Sequence, residues 1–276
     1  MRLFNKVAII GVGLIGGSIG QIIKRKKLAS TVVGVARHKK TLIQAKKQKA
    51  IDSGSTDIKI IKGADLVILA MPVEIIIKLA PAISKIVRKN CIVTDVGSTK
   101  QQIVSKLHKI FPYYIGAHPL AGSEKRGIAN ACDRLFVNSL CLLTPVRNTK
   151  PIALKKVKNF WQMMGARVKL VSPDKHDQTL SFISHLPHAA AFSLINCVPQ
   201  GCLKFAAGGF KDTTRIAASN AEIWSDIFLS NRRNLLKAIA LFQDNIAAIK
   251  SAISRKDKKA LNGLLKKAKT KRENLR

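Results

Sequence analysis

Residues 6–16 read KVAIIGVGLIG, and this short stretch decides the fold. Its first half is a continuous apolar run that predicts a buried strand, and the residues after it have the spacing of a helix. Gly11, Gly13 and Gly16 fall at the turn between the two elements with the spacing G-x-G-x-x-G. These glycines allow a tight turn, a close approach of the backbone to a phosphate and close helix–strand packing. The stretch therefore predicts a dinucleotide-binding turn with the pyrophosphate at the helix N-terminus.

Short apolar runs alternate with helical patterns as far as residue 172. The predicted strands cover residues 6–10, 31–36, 65–70, 91–95, 114–118, 140–143 and 167–171. This alternation predicts an α/β fold with a parallel, doubly wound sheet of Rossmann type. The later residues have helical spacing, with helices predicted over 174–197, 221–254 and 257–269. We therefore predict an NAD(P)-binding Rossmann domain over residues 1–172 and an all-helical domain over residues 173–276.

The end of the second predicted strand indicates which dinucleotide binds. In NAD sites an Asp or Glu at this point accepts a hydrogen bond from the ribose 2′-hydroxyl. The chain has no Asp or Glu before Asp52, and Arg37 follows the strand instead. An arginine can hold a 2′-phosphate with two hydrogen bonds, so we predict NADP, with NAD as the alternative. The other cofactor-binding candidates are the three glycines of the turn and Leu14, Ile15, Met71, Pro72 and Ser98.

The composition bounds the possible partners. The net charge of the 276 residues is +34, which makes nucleic acid or an anionic membrane a candidate partner. However, the basic residues are spread over the chain, and aromatic residues, which stack on bases, make up only 5%. We therefore expect no nucleic-acid partner. A basic nucleic-acid binder built on a dehydrogenase fold remains an alternative from another class.

The cysteines and the apolar N-terminal run indicate the compartment. Five cysteines occur without a C-x-x-C pair, which indicates buried thiols in a reducing compartment. The run over residues 7–20 is too short and too rich in glycine to span a bilayer, and it lacks a convincing signal-peptide cleavage site. We therefore expect a cytoplasmic protein with no membrane partner.

Three groups of polar residues carry candidate chemistry. The first two, at residues 95–100 and 116–124, follow predicted strands. Ligands of open α/β sheets bind at the carboxyl ends of the strands, so both groups are expected beside the cofactor. The third group lies in the helical half, at residues 184–188 and 208–215.

Together these motifs resemble those of the prephenate and arogenate dehydrogenases of tyrosine biosynthesis. The matching segments are GLIGGS at 13–18, GSTK at 97–100, GAHPLAG at 116–122, SHLPH at 184–188 and GFKDTTR at 209–215. The resemblance covers almost the whole chain. It implies a Rossmann domain followed by a helical domain that forms a homodimer. It also implies an oxidoreductase that catalyses an oxidative decarboxylation, with hydride transfer to NAD(P)⁺.

The resemblance assigns roles to individual residues. His118 matches the catalytic histidine that accepts the hydroxyl proton, which suits an imidazole with an ordinary pKa near ~6.5. Ser98 matches the serine that orients this histidine beside the nicotinamide. Arg215 matches the arginine that holds a substrate carboxylate, and His188 matches a substrate-side histidine. Further residues match positions that line or gate the substrate site: Ser123, Glu124, Lys211, Asp212 and Trp224.

The resemblance leaves the substrate open. Relatives that use prephenate tend to carry the second histidine of SHLPH, so His188 favours prephenate, which would yield 4-hydroxyphenylpyruvate. Arogenate, with an amine in place of the keto group, is the nearest alternative. A dehydrogenase of β-hydroxyacids lacks support, because its catalytic lysine motif is not apparent. We expect no metal, although His185 and His188 share a helix face, and no fused chorismate mutase or regulatory domain.

Overall fold

The structure is a computed structural model that describes residues 2–122 and 127–275. The chain divides into two compact units, Met1–Asn231 and Arg232–Arg276. The first unit holds the sheet and most of the helices, and the second holds the last two helices. The predicted domain boundary near residue 172 stays a prediction.

A single mixed sheet forms the centre of the first unit. Among the described residues it has eight strands: β1 (Phe4–Ile10), β2 (Ala29–Val35), β3 (Ser53–Ser55), β4 (Leu66–Leu69), β5 (Ile92–Asp95), β6 (Tyr114–Pro119), β7 (Leu140–Thr144) and β8 (Arg167–Leu170). Their order is β3-β2-β1-β4-β5-β6-β7-β8. All neighbours pair in parallel except β6 and β7. The strand order reverses beside β1, which places a crevice at the carboxyl ends of β1 and β4.

Helices cover both faces of this sheet and then continue alone. Those between the strands are α1 (Leu14–Arg25), α2 (Lys39–Lys47), α3 (Val73–Ser84), α4 (Gln101–Ile110) and α5 (Pro151–Met163). After β8 the first unit continues with α6 (Pro173–Leu180), α7 (Leu186–Asn196), α8 (Gly208–Thr214) and α9 (Ala221–Ser230). The second unit contains α10 (Arg232–Ser254) and α11 (Lys258–Glu273). No described helix is long and apolar enough to cross a membrane.

The continuous apolar runs of the strands follow from burial on both faces of the sheet. In β1, Val7 and Ile9 pack into one core cluster, and Ala8 and Ile10 pack into the cluster on the opposite face. β4 alternates in the same way. A strand buried on both faces needs apolar residues at every position, and this is why the pattern does not alternate with polar residues.

The structure corrects several predicted elements. β7 and β8 run against the first six strands, because β6 pairs with β7 in the antiparallel direction. β3 was not predicted, because it has only three residues and none is apolar. The helix predicted over residues 174–197 contains a π-helical turn, Ser181–His185. The helix predicted over 221–254 is two helices that meet at Asn231, whose amide hydrogen-bonds to Asp177 and His185.

The predicted burial of all five cysteines is wrong for three of them. Cys91 and Cys141 are buried, whereas Cys132, Cys197 and Cys202 are exposed. The absence of a C-x-x-C pair therefore did not predict burial.

Candidate active site

A cavity of about 780 Å³ lies at the carboxyl ends of β1, β4, β5 and β6, with the helices after β8 as its other wall. From the sheet side it is lined by Gly13, Leu14, Ile15, Ala70, Met71, Pro72, Val73, Val96, Gly97, Ser98, His118, Pro119, Leu120, Ala121, Gly122 and Gly127. From the helical side it is lined by Leu180, Ile183, Ser184, His185, His188, Arg215, Ile216, Ser219, Asn220, Ile223, Trp224, Asp226 and Ile227. Two motifs far apart in the sequence, GAHPLAG and SHLPH, therefore meet across one cavity.

The glycine turn after β1 has the geometry of an anion site. Gly11 has a φ of +98°, and a Cβ there would lie 2.2 Å from the carbonyl oxygen of Ala70. A Cβ at Gly16 would lie 2.1 Å from the carbonyl oxygen of Gly11, so both positions exclude a side chain. Gly13 has no heavy atom within 4 Å of its Cβ position. The first turn of α1 contains no acidic residue. Its N-cap residue is Gly13, so no side chain occupies the first backbone amides, and these amides suit a phosphate.

The residues beyond β2 include the arginine that was predicted to hold a 2′-phosphate. Arg37 is exposed and lies between the end of β2 and the start of α2. The Asp52 carboxylate accepts a hydrogen bond from the Val32 amide, in the middle of β2, and pairs with Lys24. The first acid of the sequence is therefore not at the ribose position of a Rossmann site.

The turn that carries Ser98 is anchored by a buried charge cluster. Asp95 accepts hydrogen bonds from the Gly97 amide at 2.8 Å and from the Tyr114 hydroxyl at 2.6 Å. The same carboxylate pairs with Lys100, and both side chains are fully buried. Burial raises the pKa of Tyr114 well above its ordinary value, and the negative charge of Asp95 adds to the effect. In the sequence, Ser98 lies between Asp95 and Lys100, and it lines the cavity.

His118 lies near the end of β6 at the wall of the cavity. Its Nδ1 atom is 2.8 Å from Nε2 of His176. Burial lowers the pKa of His118 well below its ordinary value, and the neighbouring His176, Lys100 and His185 lower it further. The ring is therefore neutral at pH 7, which is the form that accepts a proton.

The helical wall presents three of the residues that were predicted to bind substrate: His188, Arg215 and Trp224. His188 donates a hydrogen bond from Nδ1 to the Ser184 carbonyl at 2.9 Å. Its ring stacks on Trp224, with ring centroids 3.4 Å apart and an interplanar angle of 20°. Burial lowers the pKa of His188, the hydrogen bond to Ser184 opposes this shift, and the positive charge of Arg215 adds to it. Both side chains line the same wall of the cavity. A guanidinium and an imidazole side by side form an anion-binding wall.

Asp226 is a cavity residue that the sequence did not indicate. Its carboxylate accepts hydrogen bonds from the backbone amides of Glu74, at 3.4 Å, and Val73, at the start of α3. Burial raises the pKa of Asp226. The carboxylate thus joins α9 to the N-terminus of α3, the helix that follows β4.

The structure does not bring every predicted residue into the cavity. Lys211 and Asp212 are exposed on α8 and are not among its lining residues. Ser123 and Glu124 lie outside the described residues. Gly11, Gly16 and Arg37 are also not among the lining residues: the two glycines form the turn after β1, and Arg37 lies beyond β2. Within residues 2–122 and 127–275, no group of three or more His, Cys, Asp or Glu could hold a metal ion.

Comparison with known proteins gives the same two-part pattern. Residues 19–170 match the family model "Prephenate dehydrogenase, nucleotide-binding domain", and residues 172–267 match "Prephenate dehydrogenase, dimerization domain". The chain is 35% identical to the prephenate dehydrogenase of Bacillus subtilis over 99% of its own length and 77% of the relative. It is 33% identical to the cyclohexadienyl dehydrogenase of Zymomonas mobilis, over 93% and 91% of the two chains.

A solved structure agrees with these relatives. The crystal structure of prephenate dehydrogenase from A. aeolicus in complex with hydroxyphenyl propionate and NAD⁺ superimposes with a TM-score of 0.93 at 35% identity. The match covers 99% of this chain and 98% of that one. A likeness of this extent includes both the sheet and the helices that follow it.

Proposed function

The chain belongs to the prephenate dehydrogenase family, and on that premise we propose that it converts prephenate to 4-hydroxyphenylpyruvate in L-tyrosine biosynthesis. In this oxidative decarboxylation the ring carbon that bears the hydroxyl loses a hydride. The ring carboxylate leaves as carbon dioxide, and the ring becomes aromatic. The observation that carries the proposal is the position of a neutral His118 on the wall opposite Arg215 and His188 in one cavity.

The dinucleotide fits the glycine turn. The open space at Gly13 and the uncapped amides of α1 suit its pyrophosphate, while Met71, Pro72 and Ser98 line the cavity beyond. When bound, the nicotinamide supplies the acceptor for the hydride. Arg37 and the absence of an acid before Asp52 support NADP over NAD. We therefore propose NADP as the preferred cofactor, although the A. aeolicus relative was crystallised with NAD⁺.

His118 acts as the general base in this proposal. Its neutral ring accepts the hydroxyl proton as the carbonyl develops on the same carbon. Ser98 lies on the adjoining turn, where its hydroxyl lines the same cavity and orients the reacting groups. The Asp95–Lys100 pair holds that turn in place.

Arg215 and His188 hold the substrate carboxylates. Arg215 supplies a permanent positive charge, which attracts a carboxylate and cannot be lost to burial. The stacked Trp224 fixes the ring plane of His188. His188 already uses Nδ1 to bond Ser184, so its other nitrogen donates only when the ring is protonated. A substrate carboxylate beside the ring favours that protonation. Substrate contacts by Ser123, Glu124, Lys211 and Asp212 stay predictions.

Arogenate is the second candidate substrate, and Asp226 is the observation that bears on it. An ammonium group in place of the keto group needs a carboxylate partner in the cavity. Asp226 lines the cavity, but its carboxylate is engaged by the Val73 and Glu74 amides. We therefore rank prephenate first. Because the Z. mobilis relative is named cyclohexadienyl dehydrogenase, the assay described below includes arogenate as well as prephenate.

We also propose a homodimer built through the helical residues. Of the eighteen large apolar side chains that are exposed among the described residues, thirteen lie after residue 172. Such a concentration of exposed apolar surface is typical of an interface. Light scattering coupled to size exclusion is expected to give twice the mass of one chain. We further propose a cytoplasmic location, as the sequence predicts.

A two-by-two assay tests the proposed function. The purified protein is mixed with prephenate or arogenate and with NADP⁺ or NAD⁺, and the absorbance of the reduced nicotinamide is followed. We expect the fastest rise with prephenate and NADP⁺, and product analysis should show 4-hydroxyphenylpyruvate. No rise in any of the four combinations would refute the dehydrogenase. A faster rise with arogenate would replace the substrate and leave the reaction class intact.

A further inference from the structure

Three side chains form a line from the cavity into the interior of the first unit. Nδ1 of His118 lies 2.8 Å from Nε2 of His176, and Nδ1 of His176 lies 2.8 Å from Oδ1 of Asp177. His176 and Asp177 are almost fully buried, with exposed fractions of 0% and 1%. Neither has a role in the proposed reaction.

The carboxylate end of this line is fixed by the backbone. Oδ1 of Asp177 accepts a hydrogen bond from the Lys100 amide at 2.7 Å, and Oδ2 accepts one from the Gln101 amide at 2.9 Å. Both amides belong to the start of α4, so Asp177 reaches across from α6 to cap another helix. With both oxygens engaged as acceptors, the His176 nitrogen that faces Oδ1 has to carry a proton.

This proton sets the positions of the others. A neutral imidazole has one donor nitrogen and one acceptor nitrogen. Because Nδ1 of His176 donates to Asp177, its Nε2 accepts, and Nδ1 of His118 is the donor between the two rings. The lone pair of His118 therefore resides on Nε2, the ring nitrogen that is not committed to His176.

We propose that His176 and Asp177 are positioning residues that hold His118 in the tautomer with a free Nε2 lone pair. The inference rests on the proposed function, since it names the atom that does the work of the base. As the substrate O–H bond breaks, its proton moves to Nε2 of His118 and its electron pair forms the carbonyl. The hydride on the same carbon leaves with the electron pair of the broken C–H bond, and a bound nicotinamide would supply its acceptor. When carbon dioxide leaves, the electrons of the broken C–C bond make the ring aromatic, and the same proton returns to the oxygen.

The hydrogen bonds of this line are kept when His118 becomes charged. Once Nε2 is protonated, the imidazolium still donates from Nδ1 to His176, and His176 still donates to the Asp177 carboxylate. The charged and titratable groups that face His118 are His176, Lys100 and His185, and all of them oppose its positive charge. Around His176 the facing groups are Asp177 and Asp95, which favour its charged form, and Lys100, which opposes it. Asp177 thus supplies the negative charge of the line His118–His176–Asp177.

A direct test reads the tautomer of His118 without turnover. The protein is labelled with ¹⁵N-histidine, and its long-range ¹H–¹⁵N spectrum separates protonated from unprotonated ring nitrogens. The chain has six histidines, and a His118→Asn variant identifies the signals of His118. We expect the wild-type ring to carry its proton on Nδ1. A wild-type ring with the proton on Nε2 overturns the proposal, whatever the kinetics show.

Kinetics then test whether the arrangement matters for catalysis. His176→Phe keeps an aromatic ring but removes both hydrogen bonds, whereas His176→Gln can still offer an oxygen to Nδ1 of His118. For His176→Phe we expect kcat to fall by roughly ten- to a hundredfold, with KM within about twofold, which is less than the ~10²–10⁴-fold effect of a general base. His176→Gln should recover much of the loss. In His176→Phe the His118 signals should show a mixture of tautomers.

A matched control separates this role from a structural one. His108 lies on α4, the helix that Asp177 caps, and its Nδ1 donates a hydrogen bond to the Val104 carbonyl of the same helix. His108→Gln should keep the wild-type kcat and tautomer.

If His176→Phe keeps the wild-type kcat, the proposal fails even though the enzyme works. If the wild type shows no turnover, the proposed function fails, while the spectrum still decides the tautomer. Should His176→Phe fail to fold, the wild-type spectrum and the kcat of His176→Gln decide whether the proposal stands.

Discussion

Lys100 pairs with Asp95 in the interior of the protein, where both side chains are fully buried. The pair closes the turn that carries Ser98, and Asp95 is also bonded by Tyr114 and by the Gly97 amide. A buried ion pair contributes little net stability, but the loss of one partner leaves an uncompensated charge. The turn beside the proposed nicotinamide site therefore depends on both side chains.

We expect Lys100→Met to lower the free energy of unfolding by about 3–5 kcal/mol, because it strands the Asp95 carboxylate in the interior. Urea unfolding at one fixed protein concentration measures the change. The matched control is Lys24→Met, which removes the partly exposed partner of Asp52 and should cost about 1 kcal/mol or less. Equal losses in the two variants would show that burial of the Asp95 pair does not matter.

The glycine turn gives a second prediction, because two of its glycines differ in their surroundings. A Cβ at Gly13 meets no heavy atom within 4 Å, whereas a Cβ at Gly16 would lie 2.1 Å from the Gly11 carbonyl oxygen. Gly13→Ala should therefore fold with nearly wild-type stability but raise the Kd for the dinucleotide by about tenfold or more, since the methyl group occupies the space of the pyrophosphate. Gly16→Ala should lower the stability by about 3 kcal/mol through overpacking.

Calorimetric titration with NADP⁺ and thermal melts separate the two effects. Wild-type affinity in Gly13→Ala would mean that the pyrophosphate does not approach the turn. Wild-type stability in Gly16→Ala would mean that α1 can move away from β1.

The basic residue after β2 gives a third prediction, on cofactor choice. Arg37→Asp should weaken NADP⁺ binding by roughly ten- to a hundredfold, the loss of one charge-assisted contact, and should leave NAD⁺ binding unchanged or stronger. Lys47→Asp makes the same change of charge at the far end of α2 and serves as the control. The ratio of kcat/KM for the two cofactors is the measurement. If both variants shift this ratio equally, only the overall charge is felt, and Arg37 does not hold the phosphate.

The sequence predicted the parts of this fold that depend on local pattern. β1 and β4 are continuously apolar because both faces are buried, and the glycine spacing follows from contacts within one turn. The direction of β7 was not predictable, because an apolar run is the same when read in either direction. The break at Asn231 was also hidden, since the helical pattern continues through it. At the break, the Asn231 side chain donates a hydrogen bond to the backbone carbonyl of Asp177, 54 residues earlier.

The candidate site shows the same division. Ser98, His118, His188 and Arg215 were predicted from their motifs, Trp224 was predicted from the family resemblance, and all five line the cavity. His176 was missed because it is 58 residues from His118 and belongs to none of the five motifs. Its role depends on which nitrogen faces which neighbour, and no sequence pattern contains that information. Asp226 was missed for a similar reason, because the amides that it bonds are at the start of α3.

The helical wall gives a fourth prediction, on substrate affinity. Arg215→Gln should raise the KM for prephenate by roughly ten- to a hundredfold and change kcat less, because we expect the guanidinium to bind a carboxylate about equally in the ground state and the transition state. Lys204→Gln removes a charge outside the cavity and should leave KM unchanged. Steady-state kinetics at saturating cofactor give both constants. A loss confined to kcat in Arg215→Gln would place the residue at the reacting carbon instead of at a binding group.

The pH dependence of the wild type gives the last prediction, because it reports the protonation state of His118. A general base works only when it is unprotonated, and burial beside His176, Lys100 and His185 lowers the pKa of this ring well below 6.5. Activity should therefore persist as the pH falls through 6.5, and kcat/KM should decline only at lower pH. We call this decline the acid limb of the pH profile.

His118→Asn should bind NADP⁺ normally yet lose about 10²–10⁴-fold in kcat, and its remaining activity should lack that acid limb. An acid limb centred at the ordinary histidine pKa would mean that His118 is solvated in the working enzyme. An acid limb that survives unchanged in His118→Asn would assign the base to another residue.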